Sequence, residues 1–248
     1  MNFVTVAMDQ LINHAAKLRF MSGGQTHVPI TVRTMSGAGG GGGGQHTDML
    51  EAWFAHVAGV KIVTPSTPAD AYGLMRSCIE DDDPCIFIEN LPTYWSMDIA
   101  PERGSFVPLS VAKVEKAGAD ISLISYGGTM VAARAAAAAL AGEGVDVELI
   151  DLRTIAPFDS TCILNSVAKT GRAVIAHEAV TPFGVGAEIS ARITEELFSS
   201  LKAPVGRVGG SFNAVPYSQT LEAAHLPSAD RIAGAIRKAI DFEKRGGQ

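Results

Sequence analysis

The sequence lacks the features that mark several large classes of protein. It has only three cysteines, Cys78, Cys85 and Cys162, in 248 residues, and no two of them form a Cys-x-x-Cys pair. A disulfide framework and a structural zinc site are therefore not expected. The apolar run around Cys85 is typical of a buried small hydrophobe.

Membrane-spanning and nucleic-acid-binding features are also missing. No window approaches the roughly 18 consecutive apolar residues that a membrane span needs, and Asp9 lies where a signal peptide needs an apolar core. The 20 Lys and Arg residues form no stripe, so nucleic acid is not an expected partner. These absences predict a cytoplasmic protein without membrane contact, and the net charge of −6 suits a basic protein partner.

Several catalytic motifs are absent as well. No GxSxG, GxxxxGK[ST] or HExxH occurs, so serine hydrolases, P-loop enzymes and zinc proteases have no support. The string FGVGAE (183–188) begins like a dinucleotide fingerprint, but Ile189 stands at the third glycine position, and a helix-opening turn is the favoured interpretation. The string EDDDP (80–84) places three acids in consecutive positions, where their side chains diverge, so it predicts a solvated helix-to-strand turn.

What the chain does contain is an alternation of apolar strands and longer helical patterns. In the front half the strands are predicted at 28–33, 60–63 and 85–89, with helices at 8–20, 47–58 and 67–80. In the rear half the strands are predicted at 120–127, 145–153, 172–179 and 204–210, with helices at 129–142, 160–168, 186–201 and from about 228. Such alternation indicates parallel sheets covered on both faces. We therefore predict two α/β domains, 1–95 and 110–248, joined by a proline-containing linker at 96–109.

A run of six glycines at 39–44, followed by Gln45 and His46, is the most unusual stretch. Consecutive glycines are typical of a disordered linker. However, this run lies between a strand and a helix of one predicted domain, where ligand sites of parallel sheets gather. From the residues alone, His46 is equally well interpreted as an active-site residue or as part of a disordered linker. The pair His177-Glu178, at the end of an apolar strand, is interpreted as mostly structural.

Long strings of the chain closely resemble one family. FVTVAMDQLINHAAKLRFMSGGQ, VPITVRT, QHTDMLEAWFAHVAGVKIVTPSTPADAYGLMRSCIEDDDPCIFIEN and ELIDLRTIAPFDSTCILNSVAKTGRAVIAHEAVTPFGVGAEI are similar to the beta subunits of thiamine-diphosphate-dependent 2-oxoacid dehydrogenases of the pyruvate, branched-chain and acetoin type. The resemblance covers essentially the whole chain. It implies a transketolase-like fold, in which a partial pyrimidine-binding domain is followed by a transketolase C-terminal domain.

The resemblance also assigns residues to a cofactor site. Phe3 matches the aromatic residue that packs against the aminopyrimidine ring, and His46 matches the active-site histidine, which stabilises a carbanion-like intermediate and assists acyl transfer to the lipoyl group. An imidazole suits proton transfer near pH 7. Val6 stands where many relatives carry a polar residue, so a hydrogen bond of the pocket is expected to be lost. Thiamine diphosphate and Mg²⁺ are expected to be held mainly by an alpha subunit.

A potassium ion is a further expectation from the family. The backbone carbonyls of five residues match a potassium site described in some members: Ile30, Cys78, Ile79, Asp81 and Asp83. This match would give the EDDDP turn a structural role that does not involve its carboxylates.

The expected partners are an alpha subunit in an α2β2 assembly, a second beta subunit, and the subunit-binding domain of the lipoyl-bearing acyltransferase core. The family's glutamate that activates the cofactor is expected upstream of Met1, which predicts an N-terminally incomplete form. Two alternatives therefore stay open: a catalytically silent assembly subunit, and one piece of a split transketolase. The choice among pyruvate, branched-chain and acetoin-type substrates is also open. The glycine run predicts a loop, 37–45, that is mobile until the alpha subunit and cofactor order it.

Overall fold

The computed structural model describes residues 1–242 as two sheets of mainly parallel strands with helices packed on them. The strands are β1 (Thr31–Ser36), β2 (Lys61–Val63), β3 (Cys85–Asn90), β4 (Lys113–Lys116), β5 (Ile121–Ser125), β6 (Val147–Asp151), β7 (Thr154–Ala156), β8 (Ala173–Val180) and β9 (Gly206–Gly210). The helices are α1 (Ala16–Met21), α2 (Glu51–Ala55), α3 (Pro68–Ile79), α4 (Thr129–Ala141), α5 (Ser160–Thr170), α6 (Val185–Leu197), α7 (Gln219–His225) and α8 (Ala229–Ile240). Short 3₁₀ turns occupy Asn2–Ala7, Leu91–Trp95 and Phe198–Ser200, and a π-helical segment, Gln10–Ala15, leads into α1.

The first sheet has the order β1-β3-β2-β7, and its first three strands are parallel. The second sheet has the order β4-β6-β5-β8-β9 and is parallel except for β4 at one edge. The predicted α/β class with mainly parallel sheets is therefore confirmed. No helix within residues 1–242 is long and apolar enough to cross a membrane.

Local signals that the sequence offers are used at several helix ends. The Thr67 hydroxyl accepts a hydrogen bond from the backbone N–H of Asp70 at 3.1 Å, and proline opens α3, as an N-cap followed by proline predicts. Gly184 is the N-cap of α6, so the FGVGAE string forms the helix-opening turn that was predicted. The EDDDP string joins α3 to β3 as a turn.

Four segments differ from the sequence prediction. The predicted strand 145–153 is broken at Arg153, whose φ of 57° turns the chain and sends β7 to the first sheet, antiparallel to β2. The predicted helix 47–58 shortens to α2, because residues 44–46 form a turn and the next residues are extended. Strand β4 and helix α7 were not predicted.

The apolar core runs through both sheets. One buried cluster contains Phe54, Ile62 and Ile88 from the first sheet and its helices, together with Ile124 and Ile175 from the second. Smaller clusters lie under α4 and α8 and beneath α3. The two halves therefore share apolar packing, and the ends of their strands lie close enough for direct hydrogen bonds.

Candidate active site

Phe3 and His46, the two residues singled out by resemblance, lie side by side. Their ring centroids are 5.3 Å apart and the rings meet edge to face at 68°. Asn2 holds the two segments together, because its side-chain amide donates to the Gly44 carbonyl at 3.1 Å and to the Asp48 carboxylate at 2.8 Å. These bonds bracket His46 on both sides along the chain.

The pair is open to solvent. Phe3 is 67% exposed, and Val6, one turn further along the same 3₁₀ segment, is 90% exposed; the His46 side chain is also exposed. Exposed aromatic and aliphatic side chains beside an imidazole form one wall of a site. An aromatic heterocycle fits such a wall, provided that a second surface supplies the opposite side.

A turn, and not a helix N-terminus, holds His46. The carbonyl of Gly43 accepts from the His46 backbone N–H at 3.1 Å and from the Thr47 hydroxyl at 2.8 Å, and α2 begins only at Glu51. The helix predicted at 47–58 would have placed His46 at a helix N-terminus, and this expectation is wrong. The reason is that Thr47 completes the turn with its side chain and leaves the helical path.

The glycine loop, residues 37–44, contacts the rear half of the chain. The backbone N–H of Ala38 donates to the Glu178 carboxylate at 2.6 Å, and the N–H of Gly41 donates to both Glu222 oxygens at 3.1 and 3.3 Å. The Tyr217 ring covers Gly43 so closely that a Cβ there would lie 2.5 Å from it. These contacts favour an ordered loop, against the mobility that its glycine content predicts.

Glu178 belongs to a buried polar group at the ends of three strands. Its second oxygen accepts from the side-chain NH2 of Asn90 at 3.0 Å, and the side-chain oxygen of Asn90 accepts from the Gly128 backbone N–H at 2.7 Å. Burial, together with the nearby carboxyl groups of Glu51 and Glu222, raises the pKa of Glu178 to about 7. At neutral pH this carboxyl group is thus poised between its two protonation states.

Two further buried groups line the same region. Glu51 is fully buried and accepts from the Tyr126 hydroxyl at 2.7 Å; burial raises the pKa of Glu51. The Tyr126 ring stacks on His177 with centroids 6.0 Å apart. Burial lowers the pKa of His177 to about 4, so His177 is a neutral core residue near pH 7, in line with the structural interpretation of this position.

The residues of the predicted potassium site lie at another edge of the first sheet. Asp81 binds the Lys61 ammonium group at 2.6 Å, and Asp83 binds Arg19 at 2.7 Å. The Ile30 carbonyl accepts from the Cys85 backbone N–H at 2.9 Å. The carboxylates of Asp81 and Asp83 are thus already paired with cationic side chains, and the potassium site stays a prediction.

Within 1–242, no three His, Cys, Asp or Glu side chains are grouped so that they could hold a metal ion. The wall formed by Phe3, Val6 and His46 fits the ring of thiamine diphosphate, whereas the described part of the chain offers no carboxylate cluster for a diphosphate-bound Mg²⁺.

Sequence reasoning missed Glu178 as a loop contact and missed Glu222 entirely. Glu178 lies 140 positions after Ala38, and Glu222 lies 181 positions after Gly41. The one signal for Glu178 is an acid at the end of an otherwise apolar strand, where parallel sheets place functional groups. No comparable pattern marks Glu222.

Comparison with protein families assigns both halves of the chain. Residues 1–94 match the pyrimidine-binding domain of transketolase, and residues 110–232 match the transketolase C-terminal domain. A solved structure described as a split gene transketolase, inactive beta4 tetramer, superposes with a TM-score of 0.79 at 20% identity. The match covers 98% of this chain and 75% of that chain, and it shows the shared fold.

Closer relatives are beta subunits of dehydrogenases. The chain is 41% identical to the beta subunit of acetoin:2,6-dichlorophenolindophenol oxidoreductase of Cupriavidus necator, with 96% of this chain and 71% of that protein covered. It is 41% identical to the pyruvate dehydrogenase E1 component subunit beta of Rhizobium meliloti, of which it spans only 53%. It is 38% identical to the corresponding subunit of Bacillus subtilis, with 97% and 74% covered. The chain therefore belongs to the transketolase-like family of 2-oxoacid dehydrogenase beta subunits.

Proposed function

We propose that this chain is the beta subunit of a cytoplasmic, thiamine-diphosphate-dependent 2-oxoacid dehydrogenase of the pyruvate dehydrogenase type. The proposed reaction is oxidative decarboxylation of a 2-oxoacid, followed by acyl transfer to a lipoyl group. The observation that carries the proposal is the solvent-open pair of Phe3 and His46, with ring centroids 5.3 Å apart. Its support is the 41% identity to pyruvate dehydrogenase and acetoin oxidoreductase beta subunits.

Each exposed residue of the wall has a role in this proposal. When bound, thiamine diphosphate supplies the carbon nucleophile that attacks the 2-oxo carbon and takes up the electrons released on decarboxylation. Phe3 packs against the pyrimidine ring and Val6 extends the apolar contact. His46 is the one imidazole of the wall, and it donates or accepts a proton at the reacting group during acyl transfer.

The rest of the site is proposed to come from partners. An alpha subunit would face the wall and hold the diphosphate and Mg²⁺, in an α2β2 assembly that includes a contact between two beta subunits. The acyltransferase core would dock through its subunit-binding domain, for which the net charge of −6 offers electrostatic attraction. The exposure of Phe3 and Val6 supports a partner at this surface, because large apolar patches usually mark interaction sites.

Reconstitution tests the function with two measurements. The chain is mixed with a pyruvate dehydrogenase alpha subunit, thiamine diphosphate and Mg²⁺, and calorimetry measures cofactor binding. Dye reduction is measured with pyruvate, a branched-chain 2-oxoacid and acetoin as separate substrates. We expect binding only when both subunits are present, and activity with one of the three substrates.

His46→Gln and His56→Gln form the matched pair for this test. His46→Gln should lower kcat at least tenfold, because proton transfer by a positioned imidazole contributes about 10²–10⁴-fold to a rate. His56 lies at the end of α2, and its replacement should leave kcat within about twofold. No cofactor binding by the mixed subunits, or equal kcat values for both variants, would contradict the proposal.

We also propose that potassium binds the backbone carbonyls of Ile30, Cys78, Ile79, Asp81 and Asp83. Because the carboxylates of the turn are paired with Lys61 and Arg19, specificity would come from the carbonyls alone. A Tm that rises in KCl relative to NaCl at equal ionic strength is expected, since an ion that binds only the folded state stabilises it. Equal Tm values in the two salts would rule the site out.

A further inference from the structure

Two buried carboxylates of the rear half, Glu178 and Glu222, lie outside the wall and bind the glycine loop. Glu178 is 8% exposed and Glu222 is 2% exposed, and each accepts a hydrogen bond from a backbone N–H of the glycine loop. Buried carboxylates are costly unless they are hydrogen-bonded. Their hydrogen bonds go to the loop and, for Glu178, also to Asn90.

A series of contacts along the loop links these two carboxylates to His46. Glu222 holds Gly41, the Tyr217 ring lies on Gly43, and the Gly43 carbonyl accepts from the His46 backbone N–H at 3.1 Å. Tyr217 and Glu222 belong to one segment, 214–222, which ends in the first turn of α7. The glycines are needed here because they allow the loop to approach this segment closely.

Glu178 fixes the other end of the loop. Its bond to Ala38 at 2.6 Å lies just after β1, and its bond to Asn90 ties the same carboxyl group to the end of β3. The same carboxyl group therefore contacts both the loop and the neighbouring strand. The loop is thus held at two points, both before His46, by a half of the chain to which it does not belong.

We propose that Glu178 and Glu222 are positioning residues for His46: their carboxylates fix the loop at Ala38 and Gly41 and thereby set the imidazole beside Phe3. The catalytic part of this inference rests on the proposed function, whereas the structural part does not. A displacement of about 1 Å in a reacting group can lower a rate about 10²-fold, so the anchors should affect turnover without touching substrate.

The first test uses the full chain without any partner. NMR follows the Hε1 proton of His46, which the Phe3 ring current displaces, and hydrogen exchange follows the amides of residues 37–46. Glu178→Ala and Glu222→Ala should move the Hε1 signal toward its position in Phe3→Leu and raise loop exchange about tenfold. Signals unchanged in both alanine variants would overturn the inference.

Matched variants separate positioning from general damage. Glu222→Gln keeps an acceptor oxygen within reach of the Gly41 N–H, so both signals should stay near those of the wild type. Glu195→Ala removes an exposed carboxylate from α6, far along the chain from the loop, and should also leave them unchanged. If Glu222→Ala does not fold, Glu222→Asp, one methylene shorter, should shift the signals in the same direction.

The second test uses the complex reconstituted with the alpha subunit. Glu222→Ala should lower kcat about tenfold or more while KM changes less than about twofold, and Glu222→Gln should restore most of the loss. A displaced Hε1 signal with unchanged kcat would overturn the positioning role. An inactive wild-type complex would instead refute the proposed function, and the NMR result would still decide whether the carboxylates set His46.

Discussion

Gly43 and Gly144 have similar backbone conformations, but only Gly43 is closely packed. Their φ angles are +67° and +80°, and both lie in the left-handed region that disfavours side chains. A Cβ on Gly43 would lie 2.5 Å from the Tyr217 ring, whereas a Cβ on Gly144 would meet nothing within 4 Å. The two glycines therefore separate the effect of backbone strain from the effect of close packing.

Replacing each glycine with alanine measures that difference. Gly144→Ala should lower the free energy of unfolding by about 1 kcal/mol, because only the left-handed conformation is penalised. Gly43→Ala should cost about 1–3 kcal/mol more, since the Tyr217 ring must move. Urea denaturation measures both values. Equal losses would mean that the Tyr217 ring does not constrain the loop.

The pH dependence of stability should report the ionisation of Glu178. Its pKa is raised from 4.5 to about 7 in the folded state, so its contribution to stability is fully present below pH 4.5 and is lost as pH rises to 7. Glu178→Gln removes the ionisable group, so the variant does not lose stability in this way as pH rises. The variant should therefore gain roughly 3 kcal/mol on the wild type between pH 4.5 and pH 7.

His177 makes the comparison between variants necessary. Its pKa is lowered from 6.5 to about 4, so its contribution is present above pH 6.5 and is lost as pH falls toward 4. This slope opposes that of Glu178 over most of the same range. Because His177 is present in both proteins, the difference between their unfolding free energies cancels it. A difference that stays constant with pH would contradict the assignment.

Asp159 shows how one side chain serves two elements. One carboxylate oxygen accepts from the Cys162 backbone N–H at 2.9 Å and caps α5, while the other accepts from the Ala112 N–H at 3.1 Å, just before β4. The cap fixes where the helix begins. The second bond fixes how the edge strand enters the sheet.

Two alanine variants separate these contributions. Ser228 caps α8 through one bond, from the Arg231 N–H at 3.2 Å, so Ser228→Ala should lower the free energy of unfolding by about 1 kcal/mol. Asp159→Ala should cost about 1–2 kcal/mol more, because Ala112 also loses its acceptor. Thermal and urea unfolding give both values. Losses of the same size would mean that the bond to Ala112 contributes nothing.

The elements that sequence predicted correctly are those whose own residues specify them. Apolar runs gave most strands, and the Thr67-Pro68 pair gave the start of α3. Strand β7 was missed because its residues continue the apolar run of β6, and the break depends on Arg153 taking a left-handed conformation that arginine does not signal. Helix α7 is only seven residues long and buries the polar side chain of Glu222, so its periodicity is masked.

The two halves form one interlocked molecule. Strand β7 belongs to the rear of the sequence but completes the first sheet, and a single apolar cluster contains residues of both halves. The front of the connector contributes little to this packing, since Met97 and Ile99 are 97% and 87% exposed, whereas Val107 and Leu109 at its rear pack against the cluster beneath α3. Covalent continuity through the connector is therefore not what holds the halves together.

Limited trypsin digestion tests this arrangement. Cleavage after Arg103, an exposed residue of the connector, should leave both fragments in one peak on native size exclusion, because the shared core and β7 hold them together. Adding urea should separate the fragments. Fragments that separate without denaturant would show that the interface between the halves is weak.

The candidate site was predictable only in part, for a physical reason. Phe3 and His46 followed from family resemblance, because their motifs are local strings. The partners of the glycine loop lie 140 and 181 positions away, so the contact depends on how the two sheets pack. The glycine content predicts a mobile loop, whereas tertiary packing places the Tyr217 ring against Gly43.

The loop that carries His46 is built by one half of the chain and fastened to the other. A small shift of residues 214–222 against the first sheet would therefore move Gly41 directly, through the bond from its N–H to Glu222. Binding of a protein to the rear half is thus coupled to the position of the His46 imidazole through two carboxylates and a run of glycines. The glycines have no side chains that would absorb the movement.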